Sequence, residues 1–329
     1  RIGDQLDALS TGAGADSVRV VNGAGAGEGA LDIDMGSGND TVRAGIGADV
    51  DVTFGAGNDM LILDQRVGDS EDASFVADGG TGEDDLAYFE HTAAPGEGGV
   101  RLKGDGRGRL IGEIEDDQGG IAELSLQGFE RLFFARGDAH LVADGAAVHH
   151  VRTGYGDHVI DLSGSITSKD ILIEAKLTGD NVLISNSSVN SEIIAGAGDD
   201  ILRVERVAGG INDHRMVGGA GDDLFQTSRG RFTIEGGEGF DTLDFAEQIE
   251  GVLASLNFNT AQHGSEVFAT FDSIEALSGS RFDDSLIGGL GANLLAGQGG
   301  DDTLSGGFGD DTLDGGTGAD TMDGGDGDD

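Results

Sequence analysis

Five aspartates near the C-terminus, Asp284, Asp302, Asp311, Asp320 and Asp329, stand at multiples of nine residues from one another. The first four are sixth residues of the nonapeptides GSRFDDSLI from Gly279, GQGGDDTLS from Gly297, GGFGDDTLD from Gly306 and GGTGADTMD from Gly315. Between the first two lies GGLGANLLA, from Gly288, with Asn293 in the sixth place. A carboxylate beside the open carbonyls of a glycine turn is a set of hard oxygen donors, which suits Ca2+. Candidate donors here are Asp284, Asp302, Asp311 and Asp320, with the repeat-opening glycines Gly288, Gly297, Gly306 and Gly315. Solvating aspartates in isolated turns are the plainer alternative, but they do not generate a nine-residue period.

Those donors need an element that presents them in rows. Glycines at positions one, two and four permit the positive φ of a tight turn. The triplets that follow, Thr303-Leu304-Ser305 and Thr312-Leu313-Asp314, read polar, apolar, polar, as a short strand with one inward residue. The inward set is Leu286, Leu295, Leu304, Leu313 and Met322. With two nonapeptides to a coil, Asp302 and Asp320 stack in adjacent turns of one edge.

The pattern recurs upstream. Asp16 occupies the sixth place of TGAGADSVR, Asp40 of MGSGNDTVR, Asp59 of FGAGNDMLI and Asp84 of GGTGEDDLA. Further on, Asp200, Asp223 and Asp241 do so in AGAGDDILR, GGAGDDLFQ and GGEGFDTLD. In AGIGADVDV, Asp49 keeps the ligand place, but Asp51 falls on the inward one, so that strand is shifted. AGEGALDID has Leu31 where a ligand belongs and is set aside, and TGYGDHVID carries His158 there.

These residues resemble the haemolysin-type, or RTX, calcium-binding repeat family. The resemblance implies an all-β, right-handed parallel β-roll or β-helix with multiple Ca2+ ions in rows between stacked turns. It further implies a bacterial protein secreted by a type I route, extracellular or held at the cell surface. One inward Leu or Met per repeat contributes about 2 kcal/mol, well short of the cost of ordering nine residues. Calcium therefore decides whether such a coil folds.

Composition agrees. The 329 residues hold 62 Asp+Glu against 19 Lys+Arg, a formal charge of −43 that argues for cationic partners and against nucleic acid. Cysteine is absent, which removes disulfides and thiolate sites. No apolar run reaches membrane-spanning length. With no initiator Met and an end inside a repeat, the chain reads as a fragment of a larger polypeptide.

Two tandem units are read, 1–160 and 161–329. Clean repeats in each (about 11–87, then 195–244) give way to glycine-poor stretches. Residues 65–87 open with an acidic insertion. From 88 to 150, GGVRLKG, RLIGEIE, IAELSL and RLFFA alternate as strands; the only proline, Pro95, and a basic cluster including Arg101, Lys103, Arg107 and Arg109 lie here. The matching segment 245–278 is a lead-in that caps or bridges stacks of coils.

Other constellations carry less. GAGAGEGA (Gly23–Ala30) lacks the helix a dinucleotide fingerprint requires. His149, His150 and His158, with Asp157 and Asp161, have the look of a transition-metal or acid–base cluster, but His149 and His150, as strand neighbours, point to opposite faces and do not chelate together, and the three read as surface loop histidines. There is no HExxH and no GxSxG. The reading is a calcium-binding structural, adhesive or surface-layer segment of a large secreted protein, with cell-surface polysaccharide or self-association as further partners. The alternatives are the folding and export module of a secreted enzyme, and a polysaccharide-acting β-helix.

Overall fold

The computed structural model describes residues 8–20, 31–45, 49–64, 73–82, 85–90, 99–115, 121–207 and 211–329. Asp84, the Gly23–Ala30 run, residues 65–72 of the acidic insertion and Pro95 lie outside that set. All regular structure among the described residues is β-strand. The chain divides into two units, Arg1–Thr178 and Gly179–Asp329. The strand Ile171–Glu174 lies with the first unit, paired in parallel with His150–Tyr155.

In the first unit the chain alternates between two parallel sheets, as a β-roll must. One sheet begins Ala8–Ser10, Leu31–Asp34, Val50–Thr53, Ala73–Asp78; the other runs Ser17–Val20, Thr41–Gly45, Met60–Asp64, Leu86–Glu90, Arg131–Arg136, His150–Tyr155, Ile171–Glu174. Period-two patterning sends Val42, Ala44, Leu61, Leu63 and Phe89 inward, all fully buried. Phe89 stacks on Phe134 at 4.8 Å between ring centroids, and Phe54 meets Phe129 edge-on at 5.9 Å. In the second unit Leu286, Leu304 and Met322 sit in register on one sheet, and Leu295 and Leu313 on the other. Met322, in the last coil, is 53% exposed.

The glycine-poor segments are antiparallel excursions that leave the parallel stack in step. In the first unit Gly99–Gly104, Arg109–Glu115 and Ile121–Gln127 form a meander. Its outer strands pair in parallel with Asp138–Val142 and Ala73–Asp78. In the second, Leu253–Ser255, Thr260–His263 and Glu266–Asp272 do the same, joined in parallel to Ser285–Ile287 and Arg231–Glu238.

Each coil has two corners, and in residues 179–250 they are built differently. One corner is the glycine repeat. The other has side chains cross-linking successive coils: Ser187 Oγ accepts from the Val207 N–H at 2.9 Å, and Asn212 Nδ2 donates to the Ser187 carbonyl at 2.7 Å. Further along, Gln248 Nε2 donates to the Ser228 carbonyl at 2.7 Å. Within the lumen behind this corner, Ser191 Oγ meets His214 Nδ1 at 2.8 Å.

Candidate metal centre

The repeat Gly218–Gln226 shows how sequence makes the corner. Gly219 and Gly221 have φ of 133° and 130°, a region L side chains rarely adopt. A Cβ on Gly219 would overlap the Gly196 carbonyl oxygen of the coil below, so the turns can stack only as glycine. The turn then delivers Asp223 at the mouth of its strand, nearly fully buried.

Successive sixth-position residues form columns bonded coil to coil. In the first unit the N–H of Asp16 donates to Asp40 Oδ1 at 2.7 Å, Asp40 to Asp59 at 2.8 Å, and Asp59 to Asp85 at 2.7 Å. Asp85 then donates to Glu130 Oε2 at 3.0 Å. The second unit repeats this from Asn181 to Asp200, Asp223 and Asp241, at 2.7, 2.9 and 2.9 Å, ending on Glu275 Oε2 at 2.9 Å. A third column links Val252, Asp284, Asp302 and Asp320, and a fourth links Asn293, Asp311 and Asp329.

Along the columns Asp Oδ1 takes the N–H of the neighbouring coil, and in most of them Oδ2 is left over, whereas Asp200 Oδ2 accepts from the Gly196 N–H at 3.4 Å. Oδ2 of Asp16, Asp40, Asp59, Asp223, Asp241, Asp302 and Asp311 is buried and accepts no hydrogen bond among the described residues. An ionised oxygen left so is costly unless a cation meets it. The first-position glycines mark what surrounds it. The space a Cβ on Gly297 would fill is flanked by Asp302 Oδ2 and by the carbonyl of Gly315 at 2.6 Å. On Gly306 the same space meets Asp311 Oδ2 and the Gly324 carbonyl; on Gly218, Asp223 Oδ2 and the Gly236 carbonyl at 2.8 Å. Carboxylate and carbonyl oxygens thus converge on a pocket kept open by glycine, which is a fit for Ca2+. Among the described residues no three His, Asp or Glu side chains come together, so carbonyls must supply much of the shell.

A second row runs beside the first in the opposite sense. Fifth-position side chains accept from the following coil: Asp199 Oδ1 from the Asp222 N–H at 2.8 Å, Asp222 from Phe240 at 2.8 Å, Asp301 from Ala319 at 2.8 Å. The doubled Asp of AGAGDDILR and GGAGDDLFQ is its trace in the sequence. These bonds are exposed, whereas those of the sixth-position columns are buried or partly buried.

Burial sets the electrostatics. It pushes the carboxyls of Asp200, Asp223 and Asp241 up to about 6, 7 and 6, aided for Asp223 by the charges of Asp200 and Asp241. Asp59, Asp284 and Asp302 move in the same direction for the same first reason.

Of the expected ligands, Asp16, Asp40, Asp59, Asp200, Asp223, Asp241, Asp284, Asp302, Asp311 and Asp320 all stand in columns. Asp284 Oδ2 accepts from the Ser280 N–H at 2.5 Å, and the serine that replaces the second glycine of its repeat adds a hydroxyl that donates to Oδ1 at 3.0 Å. Asp84 lies outside the described residues; its neighbour Asp85 occupies the column, with Leu86 beside Met60 and Ala87 beside Leu61. Asp49 is exposed and outside the columns: Val50 and Val52 point inward and Asp51 outward, and Asp49 Oδ1 takes the Ser74 N–H at 2.9 Å. Gly288 opens onto Asn293 Oδ1 in place of a carboxylate. The histidines require correction. His149 and His158 are buried, not surface loop residues. His158 Nδ1 accepts from the Ala139 N–H at 3.2 Å, an uncharged counterpart of Asp, and burial lowers its pKa.

The family model for the RTX calcium-binding nonapeptide repeat (4 copies) matches residues 36–61, 209–243, 271–304, 278–313 and 296–329. No curated protein matches the chain. RTX nonapeptide repeats bind calcium and are typical of secreted bacterial proteins.

Proposed function

We propose that this chain is a calcium-folded structural segment of a secreted protein, serving adhesion or surface assembly, in which Ca2+ ions occupy the carboxylate columns. What supports the reading most is the set of buried, unshared Oδ2 atoms along each column, facing carbonyls across a space only glycine leaves free. Asp40 and Asp59 in one unit, and Asp223, Asp241, Asp302, Asp311 and Asp320 in the other, would hold the ions with carbonyls such as those of Gly236, Gly315 and Gly324. When bound, calcium neutralises stacked carboxylates that otherwise repel one another. The chain's own residues align the coils through Oδ1 and exclude water from the column.

On this reading the chain leaves the cell unfolded where calcium is scarce and folds outside at about millimolar calcium, the range of weak extracellular sites. Circular dichroism during a calcium titration tests it. The expected outcome is a cooperative gain of β-structure, poorly reproduced by Mg2+, which prefers a tighter octahedron and its own waters. Full β-structure in chelator at neutral pH defeats it.

A further inference from the structure

Each unit's antiparallel excursion rejoins the stack through a three-residue element of the same build, Gly128-Phe129-Glu130 in the first and Ser273-Ile274-Glu275 in the second. The register is shared too. The last excursion strand pairs with the strand that leads into a repeat, Gln127 beside Asp78 and Asp272 beside Glu235. Gly128 and Ser273 then turn the chain at positive φ, 70° and 54°. The middle residue, Phe129 or Ile274, is buried. Two successive N–H groups settle on the carbonyl of the column aspartate: Glu130 and Arg131 on Asp85 at 3.2 and 3.1 Å, Glu275 and Ala276 on Asp241 at 3.0 and 2.9 Å.

This element stands in for the missing repeat. At Gly218 the space of a Cβ lies between Asp223 Oδ2 and the carbonyl of Gly236, which opens the next repeat. At Gly236 the same space lies between Asp241 Oδ2, at 2.5 Å, and the carbonyl of Ser273. At Gly79 it lies between Asp85 Oδ2, at 2.8 Å, and the carbonyl of Gly128.

We propose that each seam is a calcium site whose closing ligands come from outside the nonapeptides. Around Asp241 they are the Ser273 carbonyl and the Glu275 carboxylate; around Asp85, the Gly128 carbonyl and Glu130. The assignment rests on the calcium reading of the columns. Asp241 is fully buried, and its Oδ2 accepts no hydrogen bond among the described residues. Glu275 brings a second carboxylate to it, with Oε2 on the Asp241 N–H at 2.9 Å. Two carboxylates and a carbonyl are hard donors for Ca2+, and without a cation the carboxylates repel. A nonapeptide takes six residues from carbonyl to carboxylate, Gly236 to Asp241, and the seam takes three. The left-handed residue turns the chain at once, and the extra methylene of Glu spans what the shorter turn leaves. A bound ion then ties the returning excursion to the coil it left.

The test counts calcium bound by the full chain in equilibrium dialysis, at the lowest free calcium that saturates the parent. Glu275→Gln keeps an oxygen for the Asp241 N–H and removes the charge. It should weaken its site at least tenfold and hold one ion fewer per chain. Glu130→Gln should do the same, and the double variant should hold two fewer. Glu266→Gln, an exposed residue of the second excursion, should leave the count unchanged. Circular dichroism in calcium checks that each variant is folded. The parent supplies a second readout: crystals grown with Tb3+ in place of calcium should show anomalous density between Asp241 Oδ2 and the Ser273 carbonyl. Filled columns with no density there, an unchanged count in folded Glu275→Gln, or an equal loss in Glu266→Gln would overturn the seam site and leave the columns standing. A parent that binds no calcium defeats both.

Discussion

The main-chain N–H of Asp223 donates to Oδ1 of Asp241 across one coil at 2.9 Å, and the carboxyls of both are held far above the ordinary range by burial. The same bond that fixes the coil spacing places one carboxylate beside the next. Such a column must be neutralised, by protons or by a divalent ion.

Protons and calcium should therefore compete. A carboxyl whose folded pKa is raised stabilises the fold below its unfolded value, near 4, and that contribution is lost as pH rises through the folded value. For Asp200, Asp223 and Asp241 the loss falls between about pH 4 and 7. Without calcium, the second unit should be more stable at pH 5 than at pH 7.5. Calcium binding at pH 6 should release protons, detectable as buffer-dependent heat. An absence of proton release would count against these groups as ligands.

Asp223→Asn separates alignment from charge. The amide oxygen can still accept from the Asp200 N–H, now bonded at 2.9 Å, but a buried charge is gone. The metal-free variant should melt higher than the parent and the calcium-loaded one lower. An ion lost at ten times its Kd removes about 1.4 kcal/mol. Melts in chelator and in calcium would show the two curves crossing.

Two fourth-position glycines should respond oppositely to alanine. Gly318 has φ of 148° and its Cβ would overlap the Gly300 carbonyl, whereas nothing lies within 4 Å of a Cβ on Gly291. Gly318→Ala should cost more than about 2 kcal/mol through strain and clash. Gly291→Ala should be within about 0.5 kcal/mol of the parent. Chemical denaturation in calcium checks both.

Leu304 and Met322 stand in register but differ in burial, 1% against 53% exposed. Leu304→Ala should destabilise by about 2–5 kcal/mol, and Met322→Ala by under about 1 kcal/mol. Thermal melts of the two variants in calcium measure the difference.

Much of this was legible in the sequence because a glycine-aspartate period leaves the backbone few choices. The eighteen-residue stack of Asp302 on Asp320 follows from spacing alone. Where the period slips, spacing misleads. GGTGEDDLA offers two adjacent aspartates, and the register with Met60 and Leu61 selects Asp85 over Asp84. Glu130 and Glu275 were hidden because each follows an antiparallel excursion in which no nonapeptide survives. Both nevertheless close a column, the longer side chain reaching where Asp would stand. His158 was misjudged because its ring reads as polar, whereas the column needs only an acceptor, which a neutral imidazole provides.

The unequal corners of residues 179–250 imply an asymmetric response to chelation. Ser187, Asn212 and Gln248 stitch one margin with neutral bonds that no chelator touches, while the opposite margin depends on cations. Stripping the ions should splay the coils like the leaves of a bound volume, loose at the fore-edge and kept in order at the spine. Restored calcium would then meet leaves already in sequence.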